Sequence, residues 1–469
     1  MTSLLTAQSG VFPEQNMVSR AALPCPVTLT SLLIAYHQPS TRVERPGGHG
    51  MNPWEVLGQI VQSQNSVDAK SWWKLTGHFL GIMMQEADYN VHEQYINLAF
   101  HLQYIIPRLG PAPHVKGTTA AWKSFMTDDF SPLEYSWNWD TPNMAPKVRY
   151  SIEAISTMAG SSVDPFNRIS TLELSRQLSE SFPETNWSQF EALKSAFFNQ
   201  SFSRTCKEDS EIVSAPQSSI FLAFELGHSI ATKAYFIPVK AEQVGISRLS
   251  VLTQTIDSLR QSQGSAFDGY DRLLELFETS QGSKLHIIGV AIDCVTPMAS
   301  RFKIYVRSPN TDFQSVCDMM NLGQTTGAPA AALRKELKDL WRLTLGLPEG
   351  FSETEQLPQE DHETAGVLYN FDIKPGSSTP EPKLYVPVKH YAANELVAAE
   401  GLGRYLKTRG RAAYYDKYMR VLQRTCTHRK LCDGRGFQTY IGVGLRKDGS
   451  LSLCSYLNGE VYHPRRWNL

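Results

Sequence analysis

The sequence predicts an α/β fold: a ten-stranded antiparallel barrel built of five ααββ repeats, with helices outside and a ligand cavity inside. Three observations lead there. Two segments of helical period alternate with two of strand period, five times along the chain. The strands of each pair are joined by short turn-rich stretches, such as Leu226-Gly227-His228 and Lys447-Asp448-Gly449-Ser450, which read as antiparallel hairpins. Ten strands can close and so lose their exposed edges, and such a barrel is wider than side chains alone can fill.

The elements follow in order. Residues 1–50 read as a poorly ordered tail ending at Gly47, Gly48 and Gly50, and residues 51–469 as a single barrel domain. The apolar run 27–36 has ten residues, too few to cross a bilayer, so no membrane insertion is expected. Helices are predicted over 69–87 and 91–106, the second stopped by Pro107 and Gly110, before strands at 133–139 and 147–155. Helices at 171–182 and 187–198 precede strands at 219–226 and 230–237. Helices at 243–262 and 269–281 precede strands at 284–293 and 300–307. The fourth unit has helices at 313–322 and 330–345 and strands at 366–373 and 383–389. The last has helices at 393–408 and 411–426 and strands at 437–445 and 450–457.

Composition narrows the class. At 42% hydrophobic and 19% charged residues the chain is globular, and its net charge of −1 lacks the basic excess that a nucleic acid partner would want. Its seven cysteines include no C-x-x-C pair, which points to reduced thiols and a cytoplasmic location. The only Asp-Asp pair, Asp128-Asp129, has no acidic partner four residues on, and no zinc spacing occurs, so no metal site and no cofactor are expected. Gly401-Leu402-Gly403 lies mid-helix and reads as close helix packing, and Gly442 and Gly444 as residues that keep the interior open.

Strand alternation assigns faces. Phe302, Ile304 and Val306 oppose Arg301, Lys303, Tyr305 and Arg307; Val148, Tyr150 and Ile152 oppose Lys147, Arg149 and Ser151. Tyr135 and Trp137 oppose Glu134, and Ile441 and Val443 oppose Gln438, Tyr440 and Arg446. Apolar faces must meet the helices, which leaves polar faces for the interior. One motif recurs there: Lys233/Tyr235, Lys303/Tyr305 and Lys383/Tyr385, with Tyr456 continuing the series. The four tyrosines lie 70, 80 and 71 positions apart, the length of the repeat. Interior cations are costly unless an anion meets them. A ring of cations among tyrosines suits an allylic diphosphate, whose anionic end takes Arg and Lys and whose allyl group becomes a carbocation that aromatic faces stabilise. Glu134 is the interior carboxylate best placed to accept a hydrogen bond from an aromatic nucleophile, and the neighbouring cations are expected to keep it ionised.

The stretches WWKLTGHFLGIMMQEADY, TDDFSPLEYSWN, KVRYSIEAI, ATKAYFIP, SRFKIYV, PEPKLYVPV and QTYIGVGLRKDG, in this order over nearly the whole chain, resemble the fungal aromatic prenyltransferases of the dimethylallyltryptophan synthase family. The resemblance implies their αββα (ABBA) barrel and metal-independent transfer of a prenyl group, dimethylallyl above all, to an indole or other electron-rich aromatic. It implies that Glu134 activates the acceptor. Arg149, Lys233, Arg301, Lys303 and Arg446 become diphosphate ligands, to which Lys383, a departure from the family's pattern, adds a contact. Tyr235, Tyr305, Tyr385, Tyr440 and Tyr456 shield the cation and line the cavity, and Phe125 and Met126 shape the acceptor site. The implied partners are dimethylallyl diphosphate and a small aromatic acceptor, and a homodimer stays open. Lys383 stands where tryptophan-using relatives often carry glutamine, and the strand IFLAFEL lacks a lysine that some relatives have. These departures, with Phe125 and Met126, point towards a larger indole or a hydroxylated polyketide ring of xanthone or naphthacenedione type. A barrel that only binds a hydrophobic ligand is the remaining alternative.

Overall fold

A computed structural model describes residues 51–63, 66–113, 118–139, 144–198, 217–239, 247–263, 267–322, 328–446 and 449–467. The expected tail over 1–50 lies outside the described residues. Residues Gly50–Leu469 form one compact unit.

The strands are β1 Leu133–Asn138, β2 Lys147–Ile152, β3 Ile220–Glu225, β4 Ala231–Phe236, β5 His286–Asp293, β6 Phe302–Ser308, β7 Val367–Ile373, β8 Glu381–Val386, β9 Gln438–Leu445 and β10 Leu451–Asn458. Each pairs antiparallel with its neighbours, and β1 pairs with β10 to close the barrel. Helices precede each hairpin. They include α1 Pro53–Gln62, α2 Val67–Trp72, α3 His78–Glu86 and α4 Val91–Phe100 before β1, then α5 Ile169–Ser181 and α6 Ser188–Phe198 before β3. Helices α7 Arg248–Gln263 and α8 Gly269–Glu278 precede β5; α9 Phe313–Met320 and α10 Ala328–Leu345 precede β7. The short α11 Val388–Tyr391, then α12 Glu395–Thr408 and α13 Tyr415–Thr425, precede β9.

Several segments differ from expectation. Helix α1 was not predicted; Pro53 starts it and the Glu55 carboxylate accepts from the Asn52 N–H at 2.9 Å, closing its first turn. The helix expected over 69–87 is interrupted by a π-helical turn at Trp73–Gly77, beside the Thr76 hydroxyl that donates to the Trp72 carbonyl at 2.7 Å. The strand expected to reach 389 stops at Val386, because Pro387 cannot continue the ladder, and the chain turns into α11.

The core lies between barrel and helices. The outward side chains of the strands, among them Trp137, Tyr150, Phe224, Ile304 and Phe371, are buried. Phe79 of α3 stacks on Tyr135 with ring centroids 4.1 Å apart. Helices α10 and α12 pack so closely that a Cβ on Gly401 would run into the Leu343 carbonyl, which accounts for that glycine by packing.

Two irregularities reshape one end of the barrel. Between β9 and β10 the pairing shifts from Ser455↔Ile441 to Leu457↔Gln438, an extra residue on β9. Alternation therefore reverses there. Gln438, expected inside, faces the helices, where its side chain donates to the Glu395 carbonyl at 2.7 Å and accepts from the Tyr418 hydroxyl at 3.0 Å. A second shift, between Ile287 and Gly289, bulges β5 against β6.

Candidate active site

The inward faces enclose two chambers that share a belt of four tyrosines. Tyr235, Tyr305, Tyr385 and Tyr456 come from β4, β6, β8 and β10 and border both. Ring centroids step round the belt at 5.8, 6.0 and 5.6 Å, and the Tyr385 and Tyr305 hydroxyls stand 3.5 Å apart. Burial pushes the Tyr305, Tyr385 and Tyr456 phenols well above their ordinary range, so they stay neutral.

The first chamber, about 310 Å³, is lined by Arg149, Lys233, Arg301, Lys303 and Lys383. Gly442 and Gly444 also border it; a Cβ on Gly442 would come to 3.0 Å of the Tyr456 ring. Cross-strand register explains how these cations are tolerated. Arg149 stands opposite Glu225, Lys233 opposite Asp293 and Lys303 opposite Asp372. Arg149 reaches Glu225 at 2.7 Å and Lys233 lies 3.6 Å from it. Arg301 and Lys303 each lie 2.8 Å from Asp293, and Lys383 lies 3.0 Å from Asp372. Five cations thus face three carboxylates, leaving the chamber with an excess of positive charge for an anion. Burial, with Arg301 and Lys233 beside it, pulls Lys303 down to about 7; against burial, Lys303 and Arg301 hold Asp293 low, and Lys383, Lys303 and Arg301 hold Asp372 low.

The second chamber, about 150 Å³, is largely apolar. Phe125, Met126, Phe221, Ile237, Ile288, Val290, Leu368 and Tyr440 line it with Glu134, Arg307, Thr364 and Lys389. Phe125 and Met126 pack against Phe221 and Ile237. Their loop hangs on Glu153, whose carboxylate accepts from Trp122 at 2.8 Å, Ser124 at 2.6 Å, Ser218 at 2.6 Å and Asn167 at 3.0 Å. Glu134 accepts from the Thr439 hydroxyl at 2.7 Å, a contact made by the β9 irregularity. Burial raises Glu134 to about 7, opposed by Thr439 and by Lys389. That corrects the expectation of an ionised Glu134 among the diphosphate cations: Arg149 pairs with Glu225, and desolvation dominates at Glu134.

Of the residues singled out in the sequence, Arg149, Lys233, Arg301, Lys303 and Lys383 share one chamber, while Glu134, Phe125, Met126 and Tyr440 share the other. Arg446 departs from its expected place: it follows the end of β9, tied into the turn by a 2.9 Å bond from its N–H to the Ser450 carbonyl, and borders neither chamber. Sequence reasoning missed Glu225, Asp293, Asp372 and Lys389. The three acids carry a usable signal, since each closes or nearly closes the first strand of its hairpin, at intervals of the repeat. Lys389 carries none, because its position depends on α11. Its ammonium donates to Asp128 at 2.7 Å and lies 5.0 Å over the Tyr440 ring. Among the described residues, two clusters have ligand-type atoms within 4.8 Å of one another, Asp128/His362/His390 and Cys426/His428/Glu460. In each the carboxylate already answers a cation, Lys389 or Arg429. No helix among the described residues is long and apolar enough to cross a membrane.

The comparisons with known proteins agree with this architecture. The family described as tryptophan dimethylallyltransferase matches residues 68–421. Prenyltransferase anuH of Penicillium roqueforti is 32% identical over 429 residues, covering 88% of this chain and 94% of that protein. Xanthone prenyltransferase A of Emericella nidulans is 32% identical over 429 residues, covering 86% and 95%. The crystal structure of NotF in complex with brevianamide F and DMSPP shares the fold, with a TM-score of 0.73 at 21% identity, covering 87% of this chain and 99% of that one. A cationic chamber, a tyrosine belt and a carboxylate-bearing aromatic pocket thus meet in a chain that belongs to the tryptophan dimethylallyltransferase family and is an aromatic prenyltransferase.

Proposed function

We propose that the cationic chamber holds the diphosphate of an allylic donor, dimethylallyl diphosphate by preference, and that the apolar chamber holds an electron-rich aromatic acceptor of indole type. The observation that carries this reading is the tyrosine belt bordering both chambers. A donor seated with its anion among Arg149, Lys233, Arg301, Lys303 and Lys383 has its allyl end at the belt. Heterolysis breaks the C1–O bond and leaves the electron pair on the diphosphate. The excess positive charge stabilises that leaving group without a metal ion. Tyrosine faces stabilise the allyl cation by roughly 0.5–2 kcal/mol each and keep water from it. The acceptor ring then forms the new C–C bond, and transfer of one proton to the released diphosphate restores aromaticity. Glu134, with its pKa near neutrality, accepts the hydrogen bond of the acceptor's N–H or O–H and answers the charge that develops on the ring.

The family and relatives named above support this reading through acceptors that are aromatic in every case where their names state one. The test is incubation with dimethylallyl diphosphate and a mixed panel of indoles and phenols, followed by mass spectrometry. Products heavier by one dimethylallyl unit on an indole are expected. Hydrolysis to prenyl alcohol with no adduct across the panel would overturn the reading.

A further inference from the structure

Beyond the tyrosine belt, strand β6 carries one more inward side chain. Arg307 follows Arg301, Lys303 and Tyr305 at steps of two, but it borders the acceptor chamber and not the diphosphate chamber. It is 7% exposed. One guanidinium nitrogen donates to the Thr364 carbonyl, and its Nε is buried with no hydrogen-bond partner. Among the described residues no carboxylate pairs with it.

The groups around it are otherwise committed. Thr364 Oγ1 lies 2.8 Å from His390 Nε2 and 2.9 Å from His362 Nδ1. Burial and Lys389 hold His390 down to about 4, so it is neutral near pH 7. Asp128 accepts from Lys389 at 2.7 Å and from Thr364 at 3.2 Å. Of the two cations lining this chamber, Lys389 thus has its counter-charge and Arg307 has none. A buried guanidinium is costly unless an anion meets it, and its planar fork suits two oxygens at once.

We propose that Arg307 is an anion subsite of the acceptor chamber, which selects aromatic acceptors carrying an acidic oxygen, either a carboxylate or an acidic phenol. The subsite rests on the prenyl-transfer reading of the same chamber and names the acceptor chemistry within it. It holds the polar edge of the acceptor by charge-assisted hydrogen bonds, while Glu134, on β1, remains for the N–H or O–H of the reacting ring.

The test uses matched probes: 2-naphthoate against 2-naphthamide, and 7-hydroxycoumarin against 7-methoxycoumarin. Binding is measured by calorimetry with a non-hydrolysable thiolo analogue of dimethylallyl diphosphate present, and transfer by mass spectrometry with the diphosphate itself. Loss of a charged hydrogen bond corresponds to about tenfold or more in affinity. The wild-type protein is therefore expected to bind at least one acidic probe about tenfold or more tightly than its neutral counterpart. The pair that shows the preference tells carboxylate from phenol. Arg307→Gln, which keeps a donor for the Thr364 carbonyl, should abolish the preference and leave the neutral probes bound as before. Arg307→Lys should keep part of it. Unchanged binding of the diphosphate analogue certifies the fold of each variant. Equal binding of acid and neutral probes by the wild type, or a preference that survives Arg307→Gln, overturns the subsite. A preference without any prenylated product upholds the subsite and counts against transfer to these rings. Product without preference does the reverse.

Discussion

Lys303 donates to the Asp293 carboxylate across 2.8 Å, yet its own pKa is drawn down to about 7. Burial and the cations Arg301 and Lys233 outweigh the partner. The folded pKa is thus below the ordinary lysine value of about 10.4. Between the two the unfolded chain binds the extra proton. This group therefore destabilises the fold most at and below pH 7, and that penalty fades as pH rises towards the unfolded value. A bound diphosphate reverses the balance by raising the lysine's pKa. Calorimetry of the thiolo analogue at pH 8, in two buffers of different ionisation heat, should show proton uptake. Lys303→Met should remove that uptake and weaken binding by about tenfold or more. Equal uptake in the variant would take Lys303 out of the diphosphate site.

Glu134 sets the opposite limb of the pH profile. With its pKa raised to about 7, the carboxylate is protonated below neutrality and loses the negative charge that strengthens its hydrogen bond to the acceptor. At subsaturating diphosphate, kcat/KM should peak near pH 7, with an acid limb set by Glu134 and an alkaline limb set by Lys303, since both titrate near 7 in the free protein. Saturating diphosphate should push the alkaline limb upward and leave the acid limb in place. Glu134→Gln should lower turnover by about 10²-fold or more and abolish the acid limb, with diphosphate affinity kept. Near-normal turnover in the variant would reopen the search for the activating group.

The belt predicts a change of product, not only of rate. Tyr305 stands between Tyr235 and Tyr385, with centroids at 5.8 and 6.0 Å. Tyr305→Leu opens a path for water and removes one aromatic face. A larger share of the donor should then end as prenyl alcohol, measured by chromatography against the prenylated product. An unchanged ratio would mean that the belt does not guard the cation.

Activity should survive EDTA, because Arg and Lys side chains answer the diphosphate. Added Mg²⁺ or Ca²⁺ should change the rate only modestly. Complete loss in EDTA, restored by divalent metal alone, would sink the metal-free mechanism.

Glu153 carries the loop that presents Phe125 and Met126. Its four donors would be stranded by Glu153→Ala, at a cost of roughly 1–3 kcal/mol for each one left unpaired. Thermal unfolding should move to lower temperature, and the acceptor KM should rise more than the diphosphate KM. An acceptor KM that stays fixed would limit Glu153 to a structural role.

The sequence by itself determined the ten strands, their pairing in hairpins and the face most strand side chains take, because period-two alternation and turn chemistry are local. The Lys-x-Tyr repeat was visible for the same reason, so alternation alone puts Lys233, Tyr235, Lys303, Tyr305, Lys383 and Tyr385 in one interior. Register decided the rest. Only the closed barrel sets Arg149 against Glu225 and Lys233 against Asp293, pairs separated by a helical excursion of unfixed geometry. One extra residue in β9 turned Gln438 outward and brought Thr439 to Glu134, a shift that alternation cannot foresee. The raised pKa of Glu134 followed from burial, not from its neighbours in sequence. Desolvation is a property of everything packed around a group, so tertiary structure alone could supply it.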